Sequence, residues 1–364
     1  MNDSTKNRYV PDYLVTPGEV LGEYLQAHSM TQTQLAMRAG LTPKTINEII
    51  KGIAPITHET AIRFERILGR PAHFWNNLES QYQEDRLRLA ERERLQAALA
   101  WLQRVPVKKM IEFGWLSAHE DKTSQLEAVL RFFGIASPDQ WSAVWENYQV
   151  AYRQSQRFAT NPEAVSAWLR QGEIAAQQLD CASFDKKVFH QTLSNIRSLT
   201  TMTIEEFQPK LIEQCAAAGV AVVLVPELPK TGVSGATRWL GKRAVIQLSL
   251  RYKSNDHFWF TFFHEAGHIV KHGKEIFIES NGLDGEKEEE ANTFAQNWLI
   301  PPSALHRFLQ QWDRHSLDPI IRFAGEIGIA PGIVVGRLQH DALLEPQTGN
   351  KLKVFYYFNS VDVA

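Results

Sequence analysis

The sequence predicts a mainly α-helical protein with a small α+β part toward its C-terminal end. Three observations lead there: a string of short capped helices from Thr16 to about Leu78, a tryptophan-bearing helical stretch after it, and a change to two-residue periodicity at Gly219 ahead of one long apolar helix.

The N-terminal helices follow from their apolar spacing. Val20, Leu21, Tyr24 and Leu25 make one stripe, Leu35 and Ala36 belong to a second helix, Ile46, Ile49 and Ile50 to a third, and Ala61, Phe64, Ile67 and Leu68 to a fourth. Thr31, Thr42 and Thr57 stand at N-cap positions, where a hydroxyl satisfies an amide that the helix leaves bare. Gly40 and Gly52 stand where helices should stop. Pro71 opens a fifth, longer helix, whose Trp75, Leu78 and Tyr82 start an apolar seam. Its continuation from Glu84 to Arg94 carries both signs of charge, as a solvated helix face does.

From Val105 to Ile204 the pattern stays helical, broken by Pro138 and Pro162, and it carries no recognisable chemistry. A spacer or packing role is expected there. After Gly219, Val220 to Val225 is an unbroken apolar run suited to a buried strand. Ala236 to Leu240 and Ala244 to Leu250 follow across Gly241, and either is expected to offer an edge to an extended peptide. An apolar helix then runs from about Asn255 to a stop at Gly273.

Composition narrows the function classes. The 364 residues are 44% hydrophobic and 22% charged, with a formal net charge of −2, so no global basic field announces nucleic acid. Any DNA contact must come from a local module. Two isolated cysteines, Cys181 and Cys215, form neither a disulfide framework nor a metal spacing, which fits a reducing cytoplasm. Residues Met1–Tyr9 lack the apolar core of a secretory signal, and no later apolar stretch is long enough for a membrane span. A cytoplasmic protein with no membrane role is expected.

The apolar helix contains His264-Glu265-Ala266-Gly267-His268. Positions four apart lie one above the other on a helix, so both imidazoles can reach one cation. Imidazole is a good zinc donor, and two such ligands leave a tetrahedral ion needing a third protein ligand and a water. Glu265 can lean over the water site as general base. Two histidines and a glutamate in so apolar a helix are costly to bury unless something pairs with them, and a metal would do so. The bland alternative is a hydrogen-bonded pair of core histidines.

Downstream, Ala291, Phe294, Ala295 and Trp298 form one stripe, and Glu288 falls in line with it. A carboxylate on that inward face suits the third coordination position. Asn292, one turn on, is placed to accept from an imidazole N–H and orient the ring. The acidic run also suits a solvated helix start, which fits Glu286 and Glu289 better than Glu288. Glu290 remains an alternative third ligand. His272 is read as a surface group, since two histidines and one carboxylate fill the usual set, and His257 as part of the helix start.

HEAGH followed by EEEANTFAQNWLIP resembles the ImmA/IrrE family of metallopeptidases, whose pattern is HExxH, then E-x-E-A-N/D-x-F-A and a closing aliphatic-Pro, here Ile300-Pro301. The resemblance runs from about Gly219 to Arg337. It implies a gluzincin-like α+β zinc-peptidase domain with zinc on His264, His268 and a downstream glutamate. By analogy with zinc peptidases that use E-x-x-x-D, Glu288 is the ligand and Asn292 orients the first histidine, with Asn in place of the usual Asp. Arg337 falls in a recurring C-terminal element of such proteins, and no role for it follows.

At the other end, helix-turn-helix proteins lay a second helix in the major groove. Thr31 to Arg38 would be the supporting helix and Thr42 to Lys51 the recognition helix, with Gly40 in the turn. Thr42, Lys44, Thr45, Asn47 and Lys51 are the candidate DNA contacts, and Gln32 suits a phosphate. The segment from Pro17 to Tyr82, with Asn47-Glu-Ile-Ile-Lys-Gly and Phe74-Trp-Asn-Asn-Leu, resembles HigA-type antitoxins of the Xre/Cro repressor group. That implies operator binding, commonly as a homodimer, with the protein's own promoter the first candidate and a toxin a possible partner. Against it, Met1 to Ser80 holds eight Lys/Arg and eight Asp/Glu, so non-specific affinity should be weak. A bundle used only for protein contacts stays open.

The expected organisation is a helix-turn-helix domain over 1–82, a helical linker and packing region over 83–204, a metallopeptidase domain over 205–345 and a tail over 346–364 that is a strand candidate. The expected function is a DNA-binding transcriptional regulator with zinc-dependent endopeptidase activity toward a repressor or antitoxin protein. Its rival is an antitoxin-like repressor whose metal site is structural or sensory.

Overall fold

Five helices follow one another in the first part of the chain: α1 (Pro17–Ala27), α2 (Gln32–Ala39), α3 (Pro43–Ile50), α4 (His58–Leu68) and α5 (Ala72–Ala97). They belong to the first of two compact units, Met1–Ala98 and Leu99–Ala364. The computed structural model describes residues 14–145, 161–280, 285–313 and 316–357. Each of α1 to α4 opens on a threonine, Thr16, Thr31, Thr42 and Thr57, whose hydroxyl accepts the amide three residues on. Gly40 ends α2 in the left-handed region at φ 62°, a backbone state that side chains disfavour. Leu21, Leu35, Ile46, Phe64 and Trp75 form the enclosed centre of this unit.

The second unit begins with α6 (Val107–Glu112), α7 (Lys122–Phe133), α8 (Pro162–Gln178), α9 (Lys186–Ser198) and α10 (Ile204–Ala217). The sheet follows, with β1 (Val220–Leu224), β2 (Val233–Leu240) and β3 (Arg243–Leu248), then α11 (Asn255–His272) and β4 (Phe277–Ser280). Four helices close the unit: α12 (Glu286–Leu299), α13 (Pro302–Gln311), α14 (Asp318–Ile327) and α15 (Pro331–His340).

The strand order is β1-β3-β2-β4, with β1 parallel to β3 and the other pairs antiparallel. This corrects the expected edges. The strands at 236–240 and 244–250 are both interior, and the edges are β1 and β4. The strand β4 went unforeseen because four residues are too few for a periodic signal. It extends β2 back to Val233, with a register shift between Val233 and Gly235.

Both faces of the sheet are covered, so its polar side chains need internal partners. On one face Arg238 donates to the Leu169 carbonyl at 2.6 Å, and Gln247 donates to the Trp168 carbonyl at 2.6 Å. The Trp168 indole N–H in turn donates to the Val225 carbonyl at 3.0 Å. The helical stretch read as a spacer therefore supplies, through α8, one wall of the sheet. On the other face lie α10 and α11, and their side chains fill the main core with Phe207, Trp259, Phe262 and Phe263.

The tail makes one isolated bridge, Phe355 to Ser254, among the described residues, and residues 358–364 lie outside them. No single helix among the described residues is long and apolar enough to cross a membrane. Burial pushes both thiols, Cys181 and Cys215, above the usual cysteine range.

Gly172 marks how closely α8 approaches β3, because a Cβ there would collide with the Gln247 amide group. Gly172→Ala is expected to destabilise the second unit by about 1–3 kcal/mol through overpacking. Adding Gln247→Ala removes the obstacle and should restore part of the loss. Calorimetric melting of the two variants checks this, and an unchanged single variant would contradict the close approach.

Candidate functional site

Every residue from Thr261 to Val270 is buried, which makes the middle of α11 a core helix on all sides. His264, Glu265 and His268 are 2%, 0% and 1% exposed. Their polar atoms need partners, and α12 brings several. The two helices run antiparallel, so His268 faces Glu288 and His264 faces Asn292. Gly267 allows the approach: a Cβ there would stand 3.2 Å from the Ala291 Cα and 3.2 Å from the Phe294 ring.

Three donors converge at this crossing. His264 Nε2 and His268 Nε2 lie 3.0 Å apart. Glu288 Oε2 is 3.1 Å from the first and Oε1 is 3.4 Å from the second. Zinc with bonds near 2.0–2.1 Å has tetrahedral ligand edges of about 3.3 Å, so the triangle matches one face of such a polyhedron. His264, His268 and Glu288 also form the one group among the described residues whose ligand atoms lie close enough together to hold a metal ion.

The outward nitrogens agree with that assignment. The His264 Nδ1–H donates to Asn292 Oδ1 at 2.9 Å, which leaves the Nε2 lone pair pointing inward. Burial pushes His268 below the ordinary imidazole range, against the pull of Glu288. For Glu288, burial alone would raise the carboxyl, but its closeness to both rings brings it down to about 2. A neutral imidazole beside an ionised carboxylate is the state in which these groups ligate a cation. The donor set fits a divalent ion such as zinc.

Glu265 lies about 100° around α11 from His264, beneath β2. The Thr237 hydroxyl donates to its Oε2 at 2.5 Å. Gly235 keeps the strand close, since a Cβ there would stand 2.6 Å from Glu265 Oε1. The register shift between Val233 and Gly235 bends the strand at this point, a device common beside active sites. Beyond His264 and Asn292 the seam between α11 and α12 widens into a cavity of about 470 Å³, lined by Phe260, Thr261, Gln296, Ile333 and Arg337 among others.

In the first unit, α3 presents Thr42 and Lys44 to solvent, with Thr45 and Asn47 half-buried, and Lys51 is exposed where the helix ends. Gln32 is exposed at the start of α2. The Thr42 hydroxyl accepts the Thr45 amide at 3.1 Å and lies 2.9 Å from the Thr45 hydroxyl, so these two groups engage each other. Lys44 leans toward Glu48 at 3.8 Å but remains highly exposed. The α2–α3 geometry matches a supporting helix, a glycine turn and a second helix with an open polar face.

Comparison with known proteins agrees with both halves. The helix-turn-helix family model matches residues 21–75, and the IrrE N-terminal-like domain model, a peptidase family, matches residues 215–338. A helix-turn-helix region leads and an IrrE-like region follows. The first is similar to virulence-associated protein I of Dichelobacter nodosus, 35% identical over 81 residues, 22% of this chain and 72% of that protein. Among solved structures it is similar to the Pseudomonas aeruginosa antitoxin HigA with the higBA promoter, at 28% identity over 23% of this chain and 94% of that one, TM-score 0.22. Another is an addiction-module antidote protein of the HigA family from Coxiella burnetii, at 27% identity over 23% and 91%, TM-score 0.22.

Within the IrrE-like domain, two residues read otherwise from the sequence take part in the site. His272 was expected at the surface, yet its side chain is 5% exposed. Its Nδ1 lies 3.0 Å from His268 Nδ1, and its Nε2 lies 2.8 Å from Glu290 Oε2. Glu290, the alternative third ligand, thus faces His272 and solvent and not the three-donor triangle. Phe277, on the unforeseen β4, stacks on the His268 ring at 3.8 Å between centroids. Arg337 lines the cavity and donates to Asp341 Oδ2 at 2.7 Å. His257 stacks on Tyr252 in the first turn of α11. In the helix-turn-helix domain, Arg63 of α4 donates to the Ala39 and Gly40 carbonyls at 2.8 and 3.3 Å, fastening the turn between α2 and α3. Its signal was absent because α4 lies more than twenty residues downstream.

Thr237→Val keeps the shape of the side chain and removes the donor to a buried carboxylate oxygen. The expected loss is about 1–3 kcal/mol of stability, the cost of a buried polar atom left without its bond. Thr237→Ser keeps the hydroxyl and should recover most of it. Denaturant unfolding of both variants is the measurement, and equal losses would show that Thr237 matters by packing alone.

Proposed function

We propose that this chain is a DNA-binding regulator whose IrrE-like domain is a zinc-dependent endopeptidase. The observation that carries it is the convergence of His264 Nε2, His268 Nε2 and the Glu288 carboxylate inside the core, with a buried glutamate on the same helix. A core of this polarity is costly unless a cation is held there. Zinc in that position supplies Lewis-acid polarisation of a scissile carbonyl and makes water acidic enough to attack near neutral pH.

The chain's own residues would do the rest. His264, His268 and Glu288 hold the ion, and Asn292 fixes the His264 ring. Glu265 takes the proton of the attacking water and delivers it to the leaving amine, as general base and then general acid. Thr237 fixes the rotation of that carboxylate through Oε2, so its geometry is set before substrate arrives. The edge strand β4 offers unpaired backbone groups along which an extended peptide can add. The cavity beside His264 provides room for one of its side chains.

In the first domain, Lys44 and Asn47 of α3 are proposed to reach bases or phosphates, with Gln32 at the backbone. The net charge of zero over Met1–Ser80 gives little sequence-independent attraction. Affinity would then rest on a few specific contacts, doubled if two copies bind.

Three outcomes test this proposal. Purified protein should carry about one zinc per chain, and His264→Ala should lose it; equal metal content in the two would sink the metal centre. Glu265→Gln should keep zinc but lower cleavage by roughly 10²–10⁴-fold, the usual worth of a general base. That is read by comparing newly formed protein N-termini in cells carrying each allele. If the two alleles give the same products and the same regulated expression, the antitoxin-like repressor with a structural metal is the better account. Lys44→Ala with Asn47→Ala should weaken binding to the upstream region of its own gene by about 1–3 kcal/mol, with an unchanged circular dichroism spectrum. Unaltered affinity would assign the bundle to protein contacts.

A further inference from the structure

Beside the three donors, His272 is a covered titratable side chain with no role in the proposed chemistry. His272 sits at the last turn of α11 with both ring nitrogens engaged, one toward His268 and one toward Glu290. We propose that Glu290 and His272 form a two-step hydrogen-bond relay that sets the tautomer and orientation of His268 and so prepares its Nε2 to bind the metal. This rests on the metal-centre reading above.

The proton positions follow from the end of the relay. Glu290 is half exposed, so its carboxylate is an acceptor only. At 2.8 Å from its Oε2, His272 Nε2 must be the donor. A neutral imidazole that donates from Nε2 has a lone pair on Nδ1. That lone pair faces His268 Nδ1 at 3.0 Å, so the proton between them belongs to His268. With its hydrogen on Nδ1, His268 presents a lone pair at Nε2, the atom that meets His264 and Glu288. The opposite case, a cationic His272 donating from both nitrogens, would put the His268 proton on Nε2 and close the site to a cation.

Orientation is set by two groups at right angles. Phe277 stacks on the His268 ring with planes 12° apart, which holds the ring plane. The bond to His272 then fixes rotation within that plane. The two ligand histidines thus have different polar neighbours at Nδ1: His264 a neutral amide, His268 a chain ending in a carboxylate. A carboxylate at the far end also raises the basicity of the ligating nitrogen.

The test measures zinc affinity of the full chain by competition with a chromophoric chelator. His272→Leu should raise the zinc Kd by about 10–100-fold, the usual effect of losing a group that orients a ligand. His272→Gln offers an amide oxygen to the same N–H and should recover most of the loss, which a purely packing role would not predict. Glu290→Ala should weaken binding by less. Long-range ¹H–¹⁵N correlation should place the His268 proton on Nδ1 in the wild type and show a mixed tautomer in His272→Leu. If His264→Ala loses zinc while His272→Leu binds like wild type, the relay is overturned and the metal centre stands. If wild type and His264→Ala bind alike, the metal centre itself falls and takes the relay with it. Should His272→Leu melt early, Glu290→Ala at its half-exposed position decides, and an unchanged Kd and His268 tautomer overturn the relay.

Discussion

The antiparallel crossing of α11 on α12 is the contact on which the second unit depends. At this crossing Gly267 lies against Ala291, two residues with almost no side chain between their backbones. Because the helices run in opposite directions there, residues four apart on one meet residues four apart on the other. His264 and His268 therefore find Asn292 and Glu288, while His272, a turn further on, is met by Glu290, outside that register. A larger residue at 267 would separate the helices and disperse the donors. The small pair matters more to this site than any single ligand, since it sets the spacing of all of them.

Burying so many polar groups requires a rigid surround, and the sheet with its two helical layers provides one. Thr237 and Arg238, adjacent on β2, point to opposite faces and serve opposite layers. Thr237 holds Glu265 of α11, while Arg238 is bound to the Leu169 carbonyl of α8 and lies 3.8 Å from Glu173. The residues before the sheet thus act as scaffold: α8 closes the far face, so β2 cannot shift away from Glu265 without breaking buried hydrogen bonds.

The first unit works on different terms. Among its described residues there is no cluster of buried charge, and its geometry rests on threonine caps, left-handed glycines at Gly40, Gly52 and Gly69, and an apolar centre around Trp75. The Arg63 clamp on the Ala39 and Gly40 carbonyls fixes the angle between α2 and α3 from outside the turn. With no excess of positive charge, such a module gains discrimination from the placement of a few side chains and little from general attraction to phosphate.

Much of this was legible in the sequence because local patterns produced it. Caps at Thr31, Thr42 and Thr57, the stop at Gly40, the apolar run of β1 and the i,i+4 histidine pair all express backbone periodicity over a few residues. That Glu288, and not Glu290, lies beside His264 and His268 was half legible, since alignment with the apolar stripe favours the inward carboxylate but leaves its neighbour two residues on undetermined. What the tertiary structure alone decided were relations between distant segments. The four residues of β4 are too short to be periodic, yet they make β2 interior and lay Phe277 on His268. His272, polar and near a helix end, has every local mark of a surface residue; packing brings Phe277 of β4 beside it and Glu290 of α12 to its Nε2, while His268 one turn back on α11 meets its Nδ1. Arg63 reaches back over more than twenty residues to a turn it does not adjoin. Sequence spacing encodes which residues share a face of one element; which element that face will meet is settled by packing.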